Sequence, residues 1–60
     1  MSASTIRMPT FYLREKFDKL ANYIRIVERA DGETTPDVLD EIAHNAQAII
    51  EETERWRYDV

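Results

Sequence analysis

The sequence predicts an all-α fold: an antiparallel helical hairpin that pairs with a second copy into a homodimeric four-helix bundle. Three observations carry that prediction. Two stretches of about twenty residues repeat apolar side chains at helical spacing. The only Gly and one of the two Pro residues fall between them, in "ADGETTPDVLDE", residues 30–41. Each stretch also carries an apolar arc wider than one neighbouring helix covers.

Sixty residues form one small domain, in a size range where disulfides, a metal or a partner chain usually supply what the core lacks. The absence of Cys removes disulfides and thiolate metal sites, and suits a reducing compartment. No apolar run approaches the roughly 20 residues that span a bilayer. The start, "MSASTIRMPT", lacks the apolar segment of a signal peptide. A cytoplasmic protein without a membrane role is expected.

Residues 1–9 have no apolar period and read as a flexible arm, with Pro9 near a helix start and Ser4, Thr5 or Thr10 as nearby caps. The first helix is expected over about residues 10–31. Leu13, Phe17, Leu20, Ile24 and Val27 step by four and three, which at about 100° per residue confines them to an arc of about 80°. Tyr12, Tyr23, Ile26 and Ala30 widen that arc to about 180°. A turn over 32–35 follows, with Gly32 as the left-handed C′ residue. Thr35 then reads as N-cap and Pro36 as the first helical residue, with Asp37 where the helix dipole favours an acid. The second helix, about 36–57, carries Leu39, Ile42, Ala46, Ile49, Thr53 and Trp56 on one stripe, widened by Val38, Ala43 and Ile50.

The expected bundle core is therefore Leu13, Phe17, Leu20, Tyr23, Ile24 and Val27 from the first helix. Leu39, Ile42, Ala46, Ile49, Ile50 and Trp56 complete it from the second. Two stacked hairpins bury all four faces, and two-fold symmetry is the commonest way to stack them.

The chemistry-bearing residues point away from catalysis. Glu41-Ile42-Ala43-His44 has the Glu-x-x-His spacing of carboxylate-bridged di-metal bundles, whose ligands project into the core. Here Glu41 and His44 fall opposite the apolar stripe, so no metal site is expected. Asp40, His44 and Glu51 lie on an open helix surface, without the concave, partly dry setting that acid–base work needs. There is no glycine-rich phosphate loop, and the two Ser residues lie in the arm. Neither an enzyme nor a cofactor is expected.

Charge divides the chain. Residues 1–30 hold six bases against three acids, a balance of +3; residues 31–60 hold two Arg against nine acids, a balance of −7, giving the net −4. Antiparallel helices attracting one another along their edges account for this, and so does a charged partner. Arg14, Arg25 and Arg29, interrupted by Asp18, form a basic strip on the first helix, which doubled by a two-fold axis can meet phosphates. In architecture alone, such a dimer resembles the small plasmid-encoded RNA-binding hairpins of the Rop type. The acidic face of the second helix, Asp37, Asp40, Glu41, Glu51, Glu52 and Glu54, suits a basic protein surface instead. Phe11, Trp56 and Tyr58 gather at the open end of the hairpin with Arg55 and Arg57, the composition of an interface hot spot. The candidate partner-binding residues are thus Phe11, Arg14, Arg25, Arg29, Trp56 and Tyr58. The expected function is that of a small regulatory or accessory protein acting by protein–protein interaction, such as a phage- or plasmid-type inhibitor or adaptor. An RNA- or DNA-binding hairpin dimer and a small structural subunit of a larger enzyme are the alternatives.

Overall fold

The computed structural model describes residues 5–58, with side-chain surroundings as far as Arg57. Ser4, one of the expected caps, and the side chain of Tyr58 lie outside that range. Two helices pack against each other as a hairpin: α1, Phe11–Arg29, and α2, Pro36–Tyr58. Residues 5–10 are not helical. Thr10 occupies the N-cap of α1 through its carbonyl, which accepts the Arg14 N–H at 2.9 Å, and its side chain makes no capping bond.

The loop follows the sequence signals with one correction. Asp31, not Gly32, is the C′ residue of α1, with φ 54°, and Gly32 follows at φ 88°. The Asp31 N–H donates to the Glu28 carbonyl (3.1 Å) and the Gly32 N–H to the Val27 carbonyl (2.8 Å). Those two bonds make a Schellman motif and satisfy carbonyls that the helix end would otherwise orphan. The Glu33 N–H then returns to the Ala30 carbonyl at 3.0 Å, closing a tight turn with both central residues left-handed. Asp tolerates that conformation better than most side-chain-bearing residues. This early reversal ends α1 at Arg29 instead of residue 31. Thr35 caps α2 as its position implies: its hydroxyl accepts the Val38 N–H at 3.4 Å and its carbonyl the Leu39 N–H at 3.1 Å.

A Cβ placed on Gly32 meets nothing within 4 Å, so any penalty for a side chain there comes from backbone conformation alone. Gly32→Ala is expected to destabilise the fold by about 1–2 kcal/mol. A fall in melting temperature on circular dichroism, at matched chain concentration, checks it.

The packing departs from the sequence pattern in its direction. Apart from the small Ala21, Ala46 and Ala48, the half-buried side chains of α1 are Leu13, Lys16, Leu20, Tyr23 and Val27 and those of α2 are Val38, Ile42, Ile49, Glu52 and Trp56, with Asn45 buried among them. Both sets keep the three-and-four spacing. At about 100° per residue, however, each seam is rotated by about 40–50° from the centre of the apolar stripe read from the sequence. Lys16, Asn45 and Glu52 enter the seam, whereas Phe17 and Thr53 stay exposed. Lys16 can do so because its methylene stem packs while its ammonium reaches water. Among the described residues no apolar side chain is buried, and the one buried residue is Asn45, 2% exposed. The hairpin alone has a seam but no core.

Candidate protein-interaction face

Rotation of the seam leaves the two broad sides of the hairpin unlike each other. On α1, Phe17 and Ile24 lie about 60–80° from the seam centre; on α2, Ala46, Leu39 and Ile50 lie about 80–120° from it, in the same rotational sense. Because the helices are antiparallel, the same sense on each brings both flanks to one side. The grooves agree. One, of about 470 Å³, is lined by Thr10, Leu13, Arg14, Phe17 and Ile49 and is mostly apolar. The other, of about 480 Å³, is lined by Lys16, Lys19, Asn22, Tyr23, Glu41, His44 and Asn45 and is mostly polar.

The apolar side is open. Phe17, Ile24, Leu39 and Ile50, all expected in the bundle core, are 43–52% exposed. The remaining expected core residues, Leu13, Leu20, Tyr23, Val27, Ile42, Ala46, Ile49 and Trp56, are half-buried. Four large apolar side chains on one side, flanked by small Ala46 and Ala43, form a patch of the kind that marks an interaction surface.

The surface area supports the same description. The chain exposes 5168 Å², whereas a compact monomer of its mass exposes about 4,100 Å². Its radius of gyration is 15.0 Å, against about 10 Å for a compact sixty-residue domain.

Charged rims border the apolar side. Beyond Phe17 and Ile24 on α1 come Arg14, Asp18, Arg25 and Arg29; beyond Ile50 on α2 come Asp40, Gln47, Glu51 and Glu54, all exposed. Arg14 approaches Asp18 at 3.8 Å and lies 5.8 Å from the centre of the Phe17 ring. Arg25 donates to the Asn22 amide oxygen at 2.9 Å. The two ion pairs described, Arg14–Asp18 and Arg55–Glu52, each lie within one helix. Neither joins α1 to α2, because the opposed charges stand on the outer edges of the hairpin. The edge-to-edge attraction expected from the charge division is not what these two pairs provide.

The open end places its residues unequally. Phe11, the first residue of α1, is 81% exposed and stands clear of the seam. Trp56 is half-buried, and its indole N–H donates to the Glu52 carboxylate at 3.0 Å. Trp56 is therefore engaged within the hairpin, while Phe11 is presented outward. On the polar side, Glu41 and His44 are exposed. Among the described residues no three His, Cys, Asp or Glu side chains stand close enough to hold a metal ion, and no helix is long and apolar enough to cross a membrane.

Three seam residues escaped the sequence reading: Lys16, Asn45 and Glu52. A signal for them exists, since Lys16 is seven residues before Tyr23, and Val38, Asn45 and Glu52 are spaced by seven. That spacing marks one helix face whatever its polarity.

Comparison with protein-family models, curated proteins and solved structures returned no match, so the functional reading rests on the geometry above.

Proposed function

We propose that this chain is a small, non-catalytic interaction protein that works as a homodimeric four-helix bundle, its apolar side covered by a second copy. The carrying observation is the rotation of both seams away from the apolar stripes. A helix in a four-helix bundle touches two neighbours about 90° apart, so its stripe points between them, about 45° from each. The offsets of about 40–50° match that geometry on both helices. A helix with one neighbour has no reason to aim its stripe elsewhere. The lack of a buried apolar side chain among the described residues agrees, since joining two hairpins supplies the missing core.

In this reading the bundle acts through its outer surface as a regulatory or accessory factor: an inhibitor, an adaptor or a structural subunit. The acidic edge of α2 and the exposed Phe11 are the features a protein partner would meet. A nucleic-acid role for Arg14, Arg25 and Arg29 is less well supported, because Asp18 interrupts the strip and the neighbouring helix is strongly acidic.

Sedimentation equilibrium across a hundredfold range of concentration tests the dimer. A mass of two chains, with helix content and melting temperature falling together on dilution, is expected. A folded species with the mass of one chain at every concentration overturns it.

A further inference from the structure

We infer that the second copy docks with its α1 over α2 and its loop at the same end, the two-fold axis running parallel to the helices. This rests on the homodimer reading and adds the orientation. Two hairpins stacked through one side have two two-fold arrangements. An axis parallel to the helices stacks α1 on the partner's α2 and keeps both loops together. An axis across the helices stacks α1 on α1 and α2 on α2, with loops at opposite ends.

Charge distinguishes them. Along the rim of α2, from Asp37 to Glu54, there is no Lys or Arg. The crossed arrangement sets that acidic rim against itself, twice a like-charge contact along a shared edge. The parallel arrangement sets it against the α1 rim, which carries Arg14, Arg25 and Arg29 against Asp18 and Glu28 and so keeps a net positive charge.

The levels match as well. Phe17 shares a groove with Ile49, and Tyr23 with His44 and Asn45, which fixes how far the helices run past each other. Counting outward, Arg14 is level with the turn carrying Glu51 and Glu54, Arg25 with residues 41–43, and Arg29 with the turn carrying Asp37 and Asp40. An axis parallel to the helices preserves those levels, so Arg14 comes level with the partner's Glu54 and Arg29 with the turn carrying the partner's Asp37 and Asp40. Asp18, the acid within the strip, comes level with the uncharged residues 48–50.

The chain has no Cys, so one introduced in the exposed loop reports orientation directly. Thr34→Cys carrying a nitroxide label is expected to give an electron-spin distance of about 25 Å or less between the two copies, because the loops are neighbours. The crossed arrangement gives at least about 30 Å, one helix length. A long distance in a species that sediments as two chains overturns the orientation and leaves the dimer standing. A labelled chain that sediments as one chain, with no dipolar signal, overturns the dimer itself. A charge exchange gives an independent reading. Arg25→Glu with Arg29→Glu is expected to weaken self-association by about threefold or more, and adding Asp40→Arg is expected to restore it. Unchanged or tighter self-association of the first variant, or no recovery in the second, overturns the orientation.

Discussion

Phe17→Asp is expected to break the proposed dimer and to take most of the helical signal with it. Phe17 is half exposed in the hairpin, so for a solitary chain the change costs only about 1–1.5 kcal/mol for the half of the ring already covered. Against a second copy it is costly. Covering the exposed half of a Phe ring contributes about 1–1.5 kcal/mol, a carboxylate placed there demands desolvation in addition, and symmetry applies both costs twice. A total of about 3 kcal/mol or more corresponds to a weakening of the dissociation constant by about a hundredfold or more. Folding is tied to association when the monomer lacks a core, so circular dichroism at micromolar concentration should fall with the dimer mass in sedimentation. Ile26→Asp is the control. Ile26 is equally exposed but lies on the outer side of α1, away from both seam and patch, and its variant should keep mass and helicity. Equal behaviour of the two variants would mean that the apolar side has no special role.

Asn45→Ala is expected to destabilise the fold by about 1–2 kcal/mol, read by urea denaturation at fixed chain concentration. Asn45 is the one buried residue among those described, and its amide Nδ2 donates to the Glu41 carbonyl at 2.7 Å. Truncation removes packing between the helices and a net hydrogen bond. Alanine's better helix propensity, about 0.6 kcal/mol, offsets part of the loss. Because the Glu41 carbonyl belongs to the helical ladder, no acceptor is orphaned, which keeps the effect below that of a buried unsatisfied group. Asn45→Leu should recover most of the stability while removing the polar restriction on what the seam accepts. A loss as small as an exposed substitution gives, within about 0.5 kcal/mol, would show that the seam at Asn45 is not a packed region.

The positions of the helices were legible from local chemistry. Gly32 beside Asp31 and the Thr35–Pro36 pair place the ends of the two helices, because helix termination and capping depend on a few adjacent residues and their backbone preferences. The one-residue error at C′ has the same origin: Asp31 and Gly32 both adopt the left-handed conformation, and only the hydrogen-bond pattern distinguishes their roles. The apolar stripes were legible too, since periodicity needs no tertiary information.

By itself, then, the amino-acid order determined two helices, their caps and the axis of greatest apolarity on each. The direction in which each helix meets its sibling was decided in three dimensions. A stripe points to the middle of all its apolar neighbours taken together, not to any one of them. Lys16, Asn45 and Glu52 entered the seam because two helices in contact bury whatever lies on the line between them, and side chains with long stems or satisfied amides tolerate that position. Phe17, Ile24, Leu39 and Ile50 were left facing outward for the complementary reason: one straight helix has a single line of contact with another, and an arc of about 180° extends well beyond it.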